Sequence, residues 1–223
     1  MKIIGIVGSP RGVKGNTGRL MMEALRAAEE AGATVETVAL PGGTVLPCKA
    51  CDTCHKKGYC PQKDDFMGIK ARILESDGVA LASPNYICGV SAQMKAFMDR
   101  CCGVVHRMEF EGKYGVSVVT SGGGDEKPIA DYMNHFMITT GITTVGSVWA
   151  TIGSFSGDEF PAEISQKAAA LGRKLVRDWE NHISTPEVEY RKEQFLERMR
   201  SLIMYRKEEW PSEYEYWQKH HGF

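Results

Sequence analysis

Five short apolar runs, separated by segments of helical periodicity, constrain this chain more than any other feature. They cover residues 2–7, 34–40, 78–82, 115–120 and 143–150, and each is the length of one strand. Between them, 16–31, 65–75, 91–102 and 129–140 carry apolar residues at helical spacing, and 162–182 does so after the last run. Such alternation predicts an α/β fold in which helices cover both faces of a parallel sheet. Five strands with crossovers of these lengths suit a doubly wound sheet of order 2-1-3-4-5.

The 223 residues, 43% of them hydrophobic, are enough for one sizeable core. The length fits one domain over 1–183 with an appended helical segment over 184–223, where the sequence turns strongly charged and aromatic. Thr185-Pro186-Glu187 reads as a helix start, and Ser212 with Glu215 reads as a capping box for a short last helix. Phe195, Met199, Leu202 and Ile203 recur at helical spacing there, and Trp210, Tyr214, Tyr216 and Trp217 add aromatic surface, so this segment is expected to serve assembly, with docking within the chain as the alternative. Lys and Arg number 27 against 28 for Asp and Glu, a balance that gives no reason to expect nucleic acid or an anionic membrane as partner. No segment approaches membrane-spanning length, and the apolar start is cut at Gly8-Ser9-Pro10, too early for a secretory signal. Seven cysteines without an export signal argue for reduced thiols and a cytoplasmic location.

Four of those cysteines, Cys48, Cys51, Cys54 and Cys60, lie in one run that ends on Pro61, inside a long connection over 41–64. Connections of that length in a compact domain are usually functional. Three thiolates two residues apart let a short loop wrap one side of an iron-sulfur cubane, and a fourth slightly further on closes the other. Zinc is the competing ligand, but zinc sites usually draw on two ligand pairs with a longer separation. His55, beside Lys56 and Lys57, reads as a solvated loop residue, and Asp64 and Asp65 as a helix start. Cys101 and Cys102 read as buried, inert thiols. His106, His135, His220 and His221 have no evident partner set, and no Ser-His-Asp or paired-carboxylate spacing is present.

Three further loops fall on one edge of the expected sheet. Residues 8–17 join the first strand to the first helix, where backbone N–H groups and the helix dipole hold anions. Ser9, Asn16 and Thr17 supply short donors there and Arg11 supplies charge, while the dinucleotide and Walker patterns are both absent. A terminal monophosphate therefore suits this loop. Pro84, Asn85, Tyr86, Ile87, Cys88 and Gly89 follow the third strand and present a backbone able to approach a flat ring. Thr120, Ser121, Gly122, Gly123 and Gly124 follow the fourth and leave room for a ligand. Three such loops on one edge point to a mononucleotide.

Gly-Ser-Pro-Arg with Asn-Thr, the compact cysteines with Asp64-Asp65, Ser-Pro-Asn-Tyr, and Ser91-Ala92 with Lys95, Phe97, Asp99 and Arg100 together resemble the NADPH-dependent FMN reductase family. Within it, the cysteine run is similar to that of the iron-sulfur flavoproteins. The resemblance covers roughly the first 180 residues and implies a flavodoxin-like fold, FMN, a [4Fe-4S] cluster and a homo-oligomer, dimer or tetramer. It places the phosphate loop on Ser9, Arg11, Asn16 and Thr17, and the ring loops on 84–89 and 120–124. The expected activity is that of a flavin-dependent oxidoreductase or electron carrier, with NAD(P)H as a possible donor and ferredoxin as a possible redox partner. Two alternatives stand beside it: an FMN or quinone reductase whose cysteine loop is structural, holding zinc or nothing, and a flavin-binding interaction module.

Overall fold

The computed structural model describes residues 1–156 and 159–222. Strands β1 (Lys2–Val7), β2 (Thr34–Ala39), β3 (Gly78–Pro84), β4 (Tyr114–Ser121) and β5 (Thr143–Thr151) form one parallel sheet in the order β2-β1-β3-β4-β5. The expected flavodoxin-like sheet is thus present, in the expected order. Every residue of β3 and β4 is buried, which is why both read as continuous apolar runs. On β1 the side chains alternate, so that Ile3 and Val7 face one side of the sheet and Ile4 and Ile6 the other.

Helices α1 (Asn16–Glu30) and α7 (Ala162–Glu180) cover the face that carries Ile3 and Val7. They approach closely because α7 bears Gly172, where an added Cβ would lie 1.8 Å from the Ala24 carbonyl oxygen on α1. The opposite face is covered by α3 (Phe66–Leu74), α4 (Ala92–Arg100) and α6 (Glu126–Thr139), whose Phe66, Phe97 and Met133 join Ile4, Ile6 and Leu81. Two short helices were not anticipated. One is α2 (Thr53–Lys57), inside the cysteine connection; the other is α5 (Cys102–Arg107), which restarts after α4 stops at Cys101. No helix among the described residues is long and apolar enough to cross a membrane.

The segment after α7 forms α8 (Pro186–Tyr205) and α9 (Pro211–His220). Thr185 caps α8 by accepting the Val188 N–H at 3.3 Å, with Pro186 in the first turn, as expected. The capping box at Ser212 does not form. Trp210 takes the N-cap position of α9, and the Ser212 hydroxyl accepts instead from Arg107 Nη2 at 2.9 Å. The apolar face expected to meet a second subunit is buried within the chain: Met199, Ile203, Trp210 and Trp217 form a small core of their own. Trp217 Nε1 donates to the His106 carbonyl at 2.9 Å, tying α9 to α5. Ile203→Val should therefore cost about 0.5–1.5 kcal/mol. A fall of roughly 1–6 °C in the thermal midpoint would follow for a chain of this size, and an unchanged melt would show that this face is not packed.

Candidate functional site

Loops at the carboxyl ends of β1, β3 and β4 surround a cavity of about 210 Å³. Ser9, Arg11, Asn16 and Thr17 line it from the first loop, Pro84, Asn85 and Tyr86 from the second, and Thr120, Ser121 and Gly122 from the third. Gly15 and Ile152 complete the wall. Ile87, Cys88, Gly89, Gly123 and Gly124, singled out in the sequence, do not line it. Ile87 is 99% exposed at the tip of its loop, and both Ile87 and Cys88 adopt the left-handed conformation, at φ +48° and +58°. A β-branched residue there is a conformational outlier, and such strain is characteristic of ligand-handling loops.

The N-cap of α1 is Gly15, with no side-chain hydrogen bond to the helix terminus. An uncapped helix N-terminus opening on a cavity attracts an anion through its N–H groups and dipole. Thr17 is buried beside it, with its hydroxyl 2.6 Å from that of Thr120, which joins the first loop to the third. Arg11 is exposed and has no carboxylate partner among the described residues. On the second loop, Asn85 Nδ2 donates to the Gly124 carbonyl at 3.0 Å. Its Oδ1 is buried and accepts no hydrogen bond among the described residues, which leaves an acceptor for a ligand N–H. Glu126, overlooked in the sequence, anchors the third loop. It accepts from Ser121 Oγ and from Thr151 Oγ1, and the Ser121 oxygen takes the Gly124 N–H at 2.7 Å. Burial opposes ionisation of Glu126, but these hydroxyl donors outweigh it and hold its carboxyl below the usual range.

Cys48, Cys51, Cys54 and Cys60 line a second cavity of about 290 Å³, on the connection after β2. Left-handed residues at Ala50, Asp52 and Gly58 bend the chain around it. Cys51 receives hydrogen bonds from the side chain and backbone of Thr53, which lower its thiol below the ordinary range. Gly103 lets α5 close on the loop, since an added Cβ there would lie 3.1 Å from Cys54 Cβ.

The surroundings of these thiols differ from the sequence expectation. Asp64 does more than start α3: it accepts from Leu46 N–H at 2.9 Å and Phe66 N–H at 3.1 Å and forms a buried pair with Arg100. Burial would raise its carboxyl, yet Arg100 and the two N–H groups outweigh that and keep it below the usual carboxylate range. Arg100 Nε in turn donates to Cys60 Sγ at 3.2 Å. His55 is buried, not solvated. Its Nδ1–H donates to Glu213 on α9 at 3.0 Å, its Nε2 lies 3.4 Å from Cys102 Sγ, and its ring stacks on His106 at 4.3 Å. Burial works against a charge on His55, but contacts with Cys102, Cys54 and Glu213 raise its pKa to about 12. His106 goes the other way, down to about 4, through burial and the neighbouring His55 and Arg107. Glu213 also accepts from Arg107 Nε at 2.7 Å. Cys101 is the inert thiol expected, since burial pushes it far up; Cys102 is half-buried and lines the cysteine cavity.

The fold and its two cavities define a flavodoxin-like protein with an anion-ready pocket at the switch point of its sheet and a separate thiol-lined pocket. The sequence model of the NADPH-dependent FMN reductase family matches residues 1–157. An iron-sulfur flavoprotein of Archaeoglobus fulgidus is 40% identical over 182 residues, 81% of this chain and 81% of the relative. One from Methanocaldococcus jannaschii is 40% identical over 141 residues, 62% of this chain and 72% of the relative. Among solved structures, a flavone reductase superposes with a TM-score of 0.65 at 20% identity, covering 81% of this chain and 63% of that longer protein. The chain belongs to the NADPH-dependent FMN reductase family and, within it, to the iron-sulfur flavoproteins.

Proposed function

We propose that the chain is a flavin-dependent oxidoreductase that moves electrons between FMN in the switch-point cavity and a [4Fe-4S] cluster on Cys48, Cys51, Cys54 and Cys60. The observation that carries this reading is the presence of both pockets at the carboxyl edge of one sheet, in a chain 40% identical to a protein named for the two cofactors. When bound, FMN exchanges electrons singly or in pairs and a cluster exchanges them one at a time.

The residues divide the remaining work. Ser9, Thr17 and the N-terminal N–H groups of α1 bind the phosphate, with Arg11 adding charge from the rim. Asn85 Oδ1 accepts from the ligand, Tyr86 covers the mouth, and Gly122 leaves the ring room. The four thiolates hold the cluster. Asp64 and Arg100 fix both ends of their loop, at Leu46 and Cys60, and Glu213 holds its middle through His55. No side chain is required as nucleophile or general base.

Residues 1–183 would form the catalytic unit and 184–223 an extension that braces the cysteine loop. The family description favours NADPH as donor. Exposed Lys49, Lys56, Lys57 and Lys63 around the thiols suit a small acidic carrier such as ferredoxin. A homo-oligomer agrees with the family.

Anaerobically purified protein should contain FMN, about four irons and matching labile sulfide per chain. NADPH, NADH or reduced ferredoxin should bleach both chromophores; zinc without sulfide would overturn the cluster assignment. Thr17→Ala should weaken FMN by about 1.5–3 kcal/mol, roughly tenfold or more, through a lost hydrogen bond to a charged group. Riboflavin, which has no phosphate, should be affected far less. Equal losses by fluorescence titration would remove the phosphate from this loop.

A further inference from the structure

Cys60 differs from Cys48 and Cys51 in the partner of its sulfur. Cys48 Sγ accepts from the Ala50 N–H at 3.4 Å, and Cys51 Sγ lies 3.3 Å from the Thr53 hydroxyl, both neutral groups of the loop itself. Cys60 Sγ accepts from the guanidinium of Arg100, forty positions away on α4. That guanidinium is fixed on every side. Nη1 donates to Asp64 Oδ2 at 2.5 Å and to the Leu46 carbonyl at 2.9 Å, and Nη2 donates to Asp64 Oδ1 at 3.1 Å. Its carbon lies 4.8 Å over the Phe66 ring, and the side chain is wholly buried. Nη1 and Nη2 both meet Asp64, and the Nε proton is the one that meets the sulfur.

We propose that Arg100 sets the reduction potential of the cluster, holding it above the value the four thiolates would give alone. The proposal rests on the assignment of Cys48, Cys51, Cys54 and Cys60 as its ligands. An added electron places more negative charge on the sulfurs, and a donor aimed at a sulfur stabilises the reduced form more than the oxidised one. Arginine keeps its proton at every working pH, and its planar fork holds the donor in one direction. Asp64 offsets part of the charge, but its oxygens meet Nη1 and Nη2, while the Nε proton is the one on the sulfur. The same contact ties α4, which begins next to the flavin loop at Ser91, to the far end of the cysteine run.

The test is a dye-mediated anaerobic redox titration of the cluster followed by electron paramagnetic resonance, with the flavin couple of the same sample as internal reference. Arg100→Lys keeps a positive charge beside Asp64 but has no second nitrogen to spare for Cys60. It should shift the one-electron equilibrium about tenfold toward the oxidised cluster, which is 59 mV more negative. Asp64→Leu with Arg100→Met removes the buried pair in favour of apolar side chains, an exchange that buried pairs tolerate. It should show a shift of the same sign, and it gives the reading should the lysine variant fail to keep its cluster. Zinc without labile sulfide in the wild type overturns the ligand assignment and this proposal with it. A wild-type cluster with unshifted potentials in cluster-bearing variants overturns the proposal alone.

Discussion

Cys54→Ser is expected to purify with FMN bound but without its cluster. Cys54 is set against the fold, where α5 closes on it at Gly103 and His55 contacts it from the next position. A serine hydroxyl is not a thiolate, and a cubane needs four ligands. Iron and labile sulfide should fall from about four per chain to near zero, and the visible absorption should reduce to that of the flavin. The flavin should stay because its cavity is built by the loops after β1, β3 and β4, whereas the cysteines follow β2. Iron and sulfide per FMN, measured anaerobically, check this. A Cys54→Ser protein with the full wild-type iron content would show that the cavity is not closed by this thiol.

Glu213→Leu is expected to be the most destabilising single substitution in the segment after α7. The carboxylate is fully buried and accepts from both His55 Nδ1 and Arg107 Nε. Removing it strands the Arg107 charge away from water, and breaking a buried pair from one side costs about 3–5 kcal/mol. For a chain of this length that lowers the thermal midpoint by roughly 6–20 °C. Glu213→Gln keeps an acceptor in the same place and should lose less. Thermal denaturation by circular dichroism decides the matter, and a midpoint within a degree of wild type would mean that the pair carries no stability.

The sheet was legible in the sequence because strands buried on both faces leave continuous apolar runs, and because their loops are marked by Gly, Pro and Asn. The four cysteines were legible because their spacing is itself the geometry. What surrounds them was not. His55 and Glu213 are 158 positions apart, and Arg107 and Glu213 are 106 apart, so no local pattern links them. Hydrophobic periodicity tells which face of a helix is buried but not against what, so the pattern of α8 alone does not choose between a second subunit and the α9 that covers it. Lys56 and Lys57 made His55 look solvated, although a five-residue helix turns its neighbours to solvent and the histidine inward. Acidic residues favour helix starts, a role too small for Asp64, which also receives Arg100.

The brace from α9 gives the two cavities different histories during synthesis. The walls of the switch-point cavity are all translated once the chain has passed Ile152. The four thiols emerge earlier than most of those walls, yet the carboxylate that steadies their loop is encoded more than 150 positions after His55. A growing chain therefore shows its cysteines long before it has the carboxylate that holds His55. A product cut short before Glu213 would carry all four cysteines on a loop still pinned by Asp64 and Arg100 but without the hold on His55.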